Sequence, residues 1–516
     1  MSGSELKQRR RSGGRSARTA ARARPLDQAI RPVRPGLPGG QFRALKDEDV
    51  SRIHEAAINA LENIGMGSAP PSGRAYLTAA GAIEGDDGRI RFPRALIEDM
   101  LARAARDFTL CARDPQHDLQ LQGTNVHYGT AGAAVHMVDP VTGDYRNPSV
   151  QDLYDAARIV QRLDNVHFFQ RPVVCREFET PLDLDLNTLY AACAGTSKHI
   201  GTSFTEAGNV HKCMELLHLI AGGEDAWRER PFVSNSNCFV VPPLTFAEES
   251  CEVMEACILA GMPVLLLSAG QAGATAPAPI ATAVVQAVAE CLAGVVYVNA
   301  VKPGHTAIFG TWPFVSDLRT GAMSGGSGEQ ALLSAACAQM HQFYGLPGGA
   351  AAGIADSKLP DMQAGWEQGI SNVMAGLSGL NMVYESVGMH ASLLGFCLES
   401  LVLGNDMLGQ VQRCVRGIEV KDEYVDLEVV RSVVLDGPGH YLGHDQTLQL
   451  MQSEYIYPEL ADRSSPKEWE ERGKPRLLDT AAERVRSILS EDSHLIDPQT
   501  EAALHAAMPL ASLSRS

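Results

Sequence analysis

Several features missing from the sequence restrict its reading. There is no CxxC pair: the eleven cysteines are scattered, and the closest two, Cys251 and Cys257, stand six apart. An odd number of thiols in apolar patterns, with no disulfide framework and no signal peptide, points to a reducing cytoplasm. No apolar run reaches the roughly 18 residues of a membrane span; MPVLLLSAG at 262–270 is too short and ends in turn residues. No membrane association is expected. No GxGxxG follows a first strand, and no GK[ST] completes the glycine-rich GGSGEQ at 325–330. A dinucleotide fingerprint and a P-loop are thereby excluded.

Basic residues are scarce outside the start of the chain. Residues 1–34 hold ten Lys/Arg against Glu5 and Asp27, leaving 34 basic and 59 acidic residues, a balance of −25, in the rest of a −17 chain. An acidic body argues against nucleic acid as a partner. The start, KQRRRSGGRSARTAARARP, lacks aromatics and a hydrophobic period. It reads as a disordered basic tail over 1–41.

What is present is a soluble globular chain of 516 residues, 45% hydrophobic and 20% charged. Amphipathic stretches at 46–65 and 94–107 predict an N-terminal helical segment over 42–115. One unit then repeats: a short apolar run ending in Gly, Ser, Asn or Pro, followed by an apolar-periodic segment of about 15–20 residues. The runs are 125–132, 166–174, 198–205, 231–240, 263–270, 305–312, 348–357 and 380–388. The helices between and after them are 150–164, 182–194, 209–222, 245–261, 279–294, 329–345, 362–379 and 392–415. Alternating strands and helices imply a parallel α/β sheet, and eight pairs imply a closed (β/α)8 TIM barrel over 116–418. An open doubly wound sheet is the competing arrangement. From 419 to 516 a helical extension follows, with SSPKEWEERG as a capped helix start. It is expected to pack on the barrel or on a second subunit.

Barrel strands end at one mouth, where chemistry is built. Those positions carry Tyr128, Thr130, Gln170, Arg171, Ser203, Thr205, Glu206, Asn235, Asn237, Ser268, Gln271, Thr311, Trp312, Arg319, Asp356, Ser357, Lys358, Tyr384, Glu385 and His390. The loops TAGAA, SAGQAGATA, TGAMSGGSGEQA and PGGAAAGIADSK are rich in small residues, which let a large flat group approach the backbone. Tight turns explain part of that glycine content by themselves. In FGTWPFVSDLRTG, Trp312 and Phe314 offer aromatic faces to a quaternary ammonium, and Arg319 offers a fork to a carboxylate. Together they suit a betaine. Trp312 as ordinary core and Arg319 as a surface ion pair is the competing reading.

GPGHYLGHDQTL, 437–448, places His440 and His444 four apart with Asp445 following. On a helix this is a metal pair. Gly439, Gly443 and Pro438 instead make it a turn entering a helix near Thr447, so no bound metal is expected.

Three stretches, GTWPFVSDLRTGAMSGGSGEQALLSAACAQMHQFYGLP, GIADSKLPDMQAGWEQG and GPGHYLGHDQTLQLMQSEYIYPELADRSSPKEWEERG, resemble the trimethylamine methyltransferase superfamily, with a likeness from about 42 to about 490. The resemblance implies a TIM barrel that demethylates a methylamine, the methyl passing to the cobalt of a corrinoid on a separate cognate protein. Founding members carry pyrrolysine near the loop that here reads IADSKLPD; this chain has standard residues only. It is therefore similar to the non-pyrrolysine branch, whose best-known members demethylate glycine betaine and related quaternary amines. Cobalt(I) attacks a methyl carbon, and a quaternary ammonium leaves as a neutral tertiary amine with no proton donor. The enzyme's task is then alignment and exclusion of water.

On this reading Trp312, Phe314, Arg319, Tyr128 and Tyr384 bind substrate. Glu206, Asp356 and His390 orient or tune, and Gly325, Gly326, Ser357, Lys358 and His440 face the corrinoid. A homo-oligomer, dimer or higher, is expected. Proline betaine or carnitine would fit the same chemistry. From other classes, the rivals are a corrinoid-independent lyase or aldolase with Lys358 as nucleophile, and a betaine-binding protein without catalysis.

Overall fold

The eight predicted strands form, but each is only two to five residues long. In the computed structural model, which describes residues 30–515, they are β1 (Asn125–Tyr128), β2 (Phe169–Gln170), β3 (Ile200–Thr202), β4 (Val233–Asn235), β5 (Val264–Ser268), β6 (Ala307–Thr311), β7 (Gly349–Ala351) and β8 (Met382–Tyr384). The basic tail expected over 1–41 lies mostly outside the described residues. Strands β2 to β6 pair in sequence order as one parallel sheet, and β7, β8 and β1 pair as a second. Parallel bridges join the two groups at Gly129–Phe168 and at Phe309–Gly348. Each strand thus has its successor as neighbour, and β8 lies beside β1, in an α/β architecture.

A helix follows each strand: α1 (Val150–Gln161), α2 (Pro181–Gly195), α3 (Ala207–Ala221), α4 (Glu248–Leu259), α5 (Ile280–Val301), α6 (Gly328–Tyr344), α7 (Met362–Leu377) and α8 (Glu399–Arg416). Local chemistry starts and stops them. Ser149 and Asp152 form a capping box on α1, and Thr180, Ser327 and Asp361 accept the third amide of α2, α6 and α7. Helices α3 and α6 end on Gly222 and Gly345 in the left-handed region. The last helix starts at Glu399 rather than 392, because Met389–His390 and Gly395–Phe396 pair as a hairpin. That hairpin joins a second one, His136–Val138 with Tyr145–Arg146.

Helix α5 corrects one expectation. Among the described residues it is long and apolar enough, by length and composition, to cross a membrane. It is mostly buried within the protein, against β5, β6 and the N-terminal helices Asp47–Asn63 and Arg94–Arg103. A helix enclosed on all sides is apolar on all sides. Its Glu290 is buried yet bonded to the Leu244 amide, Gln286 and Ser268.

The C-terminal extension is anchored through α1. Buried Arg158 donates to Leu489 O and Arg515 O at 3.0 Å each and to Ser493 Oγ at 3.1 Å. The predicted capped start appears as Pro466–Glu471, with Ser465 and Glu468 in a capping box. The 437–448 turn enters a helix at Asp445–Leu450, two residues earlier than expected, and His444 caps it by accepting the Gln446 amide.

Candidate active site

The loops after the strands are tied into one rim. Asp356, beyond β7, accepts from Ser324 Oγ at 2.9 Å and from Ser392 Oγ at 2.6 Å. Loops beyond β6, β7 and β8 thus meet at one carboxylate. The Tyr145 hydroxyl, beyond β1, donates to Lys358 O at 2.8 Å. Residues 271–272, beyond β5, pair with 314–315 beyond β6.

Inside this rim stands an aromatic cluster. The Trp312 and Tyr384 ring centroids are 5.0 Å apart, and those of Phe168 and Tyr384 5.1 Å apart. All three residues are buried. Glycine makes room for them: a Cβ on Gly129 would overlap the Phe168 ring, and one on Gly349 would lie 2.7 Å from a Tyr384 ring carbon. On the far side Gln170 donates to Ser236 Oγ, which donates to Thr202 O at 2.9 Å. Those polar groups satisfy one another.

Other buried polar atoms at this end do not, among them Arg171 Nε, Thr311 Oγ1, Trp312 Nε1, Glu385 Oε2 and His390 Nδ1. Arg171 directly follows β2, and its guanidinium has no ion pair or hydrogen bond among the described residues. Burial lowers its pKa, but a guanidinium keeps its charge in a protein. The residue is half-buried, and the Asp185 carboxylate acts on it only through space; a partly desolvated guanidinium with no bonded partner is costly. Glu385 directly follows β8, is 1% exposed, and has a φ of 61°. Burial alone pushes its carboxyl up to about 8. It is a neutral acid at pH 7. Left-handed backbone at a non-glycine residue costs roughly 1–2 kcal/mol. Strain and an unpartnered buried acid at one residue mark function.

The structure sorts the expected site residues. Trp312 and Tyr384 come together; Phe314 is buried but makes no ring contact with them among the described residues. Tyr128 faces the other way: its hydroxyl lies against α7, 3.5 Å from Asn372 O, where a Cβ on Gly376 would overlap it. Arg319 has 88% side-chain exposure and donates to the Asp317 carboxylate at 2.7 and 3.0 Å. Its fork is already filled, so the surface-pair reading describes it. Glu206 is exposed at the start of α3. Asp356 ties loops together, as described. His390 is fully buried, bonds Ser400 Oγ at 2.7 Å through Nε2, and is pushed by burial down to about 4, so its ring is neutral.

The residues expected to face a corrinoid serve the chain itself. A Cβ on Gly325 would lie 2.6 Å from Ile354, and one on Gly326 2.5 Å from Glu367. The Ser357 hydroxyl bonds Asp361 and Leu359 O. Lys358 is exposed and donates to Asp356 O at 2.7 Å, so it lacks the desolvation that an amine nucleophile needs. His440 is exposed on the C-terminal extension.

Arg171 and Glu385 stood among the mouth positions of the sequence without being singled out, and Phe168 lay hidden inside a strand run. A cavity of about 670 Å3 lies at the opposite end of the strands, lined by Asn165, His167, Lys198, Asn405, Tyr455 and Arg484 among others. Its size does not locate the chemistry, because its buried cation, Lys198, is already satisfied by backbone carbonyls.

Comparison with known proteins adds a match over residues 11–509 to the family model described as trimethylamine methyltransferase (MTTB). The chain belongs to the trimethylamine methyltransferase family. The match reaches further at both ends than the motifs alone indicated. Among curated relatives, the trimethylamine methyltransferase MttB of Methanosarcina thermophila is 30% identical over 467 residues, 90% of this chain and 95% of that one. The glycine betaine methyltransferase of Desulfitobacterium hafniense (strain Y51) is 28% identical over 475 residues, 90% of this chain and 96% of that one. The crystal structure of the Methanosarcina barkeri monomethylamine methyltransferase MtmB aligns at a TM-score of 0.51 with 12% identity, over 92% of this chain and 91% of that one. That likeness concerns the fold. This family member is a methyltransferase, as its relatives are named.

Proposed function

We propose that this methyltransferase moves a methyl group from a zwitterionic quaternary amine, glycine betaine foremost, to the cobalt(I) of a corrinoid carried by a separate cognate protein. One observation carries the choice of substrate: a half-buried Arg171, whose guanidinium makes no hydrogen bond or ion pair among the described residues, stands at the same end of the strands as the Trp312–Tyr384 pair. Aromatic faces attract a quaternary ammonium by about 1–2 kcal/mol when desolvated. A guanidinium fork takes a carboxylate. A betaine brings both groups; trimethylamine brings no anion for Arg171. Arg171 takes over the carboxylate role first given to Arg319.

In this reading the protein binds, orients and keeps water out. The C–N bond breaks as the methyl carbon bonds to cobalt, and the nitrogen keeps the electron pair as a neutral tertiary amine. Substrate charge is thereby lost in the transition state, so an aromatic wall that held the cation too tightly would lower KM without raising kcat. The corrinoid arrives as a co-substrate on its own protein, which accords with the glycines and Ser357 being occupied internally. We read the eight strands as a closed (β/α)8 barrel over 116–418, supported by the order of pairing and by β8 lying beside β1. The 42–115 segment and the 419–516 extension flank it, in a cytoplasmic homo-oligomer.

The deciding assay supplies the partner corrinoid protein as cobalt(I) with glycine betaine, proline betaine, carnitine, choline and trimethylamine. Methylated corrinoid is expected from the betaines, and Arg171→Ala should lose it. Turnover of trimethylamine alone, unchanged in Arg171→Ala, would overturn the reading.

A further inference from the structure

We propose that Glu385 is the counter-ion of the substrate's quaternary ammonium, and that seating the cation expels the Glu385 proton into solvent. This rests on the reading above that the ligand is a quaternary amine.

Four observations converge on Glu385. It directly follows Tyr384, whose ring meets both Trp312 and Phe168. Its backbone is turned into the left-handed region and held there by the next residue: the Ser386 amide donates to Gly129 O at 3.0 Å, and the Ser386 hydroxyl donates to Val383 O at 2.8 Å. The side chain is buried, and Oε2 has no partner. No charge acts on it: burial is the sole cause of its shift, and neither Arg171, Asp356 nor His390 on the neighbouring loops contributes.

A carboxyl kept for stability would be bonded or ion-paired. This one carries backbone strain and desolvation without a return inside the protein. A permanent cation beside such an acid favours the carboxylate, because an opposite charge at close range lowers a carboxyl pKa. The O–H bond of Glu385 then breaks, its electron pair stays on the carboxylate, and the proton goes to buffer. The charges also match: Arg171 positive and Glu385 negative complement a zwitterion end for end.

Isothermal titration of the full-length enzyme with glycine betaine and with tetramethylammonium, at pH 7 in two buffers of different ionisation enthalpy, counts the protons. Release approaching one proton per ligand is expected for both. Affinity should rise about tenfold per pH unit between pH 6 and 7.5 and level off above 8. In Glu385→Gln, release should vanish and the affinity should lose its pH dependence. Loss of a protonated-carboxyl C=O band on ligand addition, read by infrared difference spectroscopy on the wild type, gives the same answer without a variant. Tight binding without proton release, or release that persists in Glu385→Gln, would overturn this inference alone. Failure of both ligands to bind would overturn the quaternary-amine reading together with it.

Discussion

Lys198, two residues before β3, is a buried cation and Arg171, one residue after β2, a half-buried one; adjacent strands hold them, and they differ in what meets them. The Lys198 ammonium donates to the carbonyls of Val160, Leu163 and Val166, the first two at 2.8 and 2.7 Å. Burial pulls its pKa down to about 7, while three acceptors match the three donors that only the ammonium form has. Around it, His199 bonds Cys111 O and Ser234, and Asn381 bonds Gly123 O, Asn125 O and the Gly348 amide. Arg171 meets nothing of the kind, and Trp312, Glu385 and His390 share its end of the strands with unpartnered atoms. His127 Nδ1, His167 Nε2, His341 Nε2 and Gln412 Oε1 are exceptions at the Lys198 end, but Gln412 is an uncharged amide and burial lowers the pKa of all three rings, so none is charged at pH 7. One end of the strands settles its charged groups within the protein; the other leaves charge-bearing groups without bonded partners.

The largest expected effect separates these cations by function. Arg171→Met should lower kcat/KM for glycine betaine by about a hundredfold to a thousandfold, the cost of losing one partner of a buried charge pair, with no fall in melting temperature. Arg319→Ala, on the surface, should leave kcat/KM within about twofold. Equal losses from the two variants would break the contrast. Lys198→Met should do the reverse, destabilising the fold by roughly 2–4 kcal/mol as three carbonyls lose their donor, with KM close to wild type. Denaturant unfolding beside steady-state kinetics reads both.

Glu385 sharpens the comparison through pH. Its folded pKa of about 8 lies above the ordinary 4.5. The folded state therefore holds a proton that the unfolded state releases first, and the stability this provides falls as pH rises from about 4.5 through 8. Glu385→Gln should gain on wild type by on the order of 2 kcal/mol between pH 6 and 9. Parallel melting curves for the two proteins across that range would reject the buried-acid assignment. The smallest effect belongs to Trp312→Leu, which should raise KM for a quaternary amine about tenfold, matching a cation–π contact of 1–2 kcal/mol, with Tm lowered only modestly.

Much of the fold was legible because its causes are local. The Ser149–Asp152 capping box and the Gly345 terminus lie within a few residues of the helices they bound. All eight strand runs sit within the predicted stretches. The misreading of α5 has a physical cause too: its burial continues to Asn299, so the apolar pattern runs past the expected end at 294. The site was less legible. Trp312 was picked for its aromatic face and Tyr384 for its place at a strand end, and the two do meet, across 72 positions of sequence. Tyr128 failed because a one-residue alternation decides which side of a strand a ring takes, and strand ends are uncertain by more than that.

By itself the sequence determined the order of strands and helices, their caps and the family motifs, since each depends on neighbours in the chain. Only the tertiary structure decided which polar groups are satisfied. Lys198 finds its carbonyls 32 to 38 residues away, and Asp356 finds Ser324 and Ser392 at 32 and 36. Arg171 and Glu385 find none. A missing partner is a property of the whole packed interior, and no stretch of sequence records it.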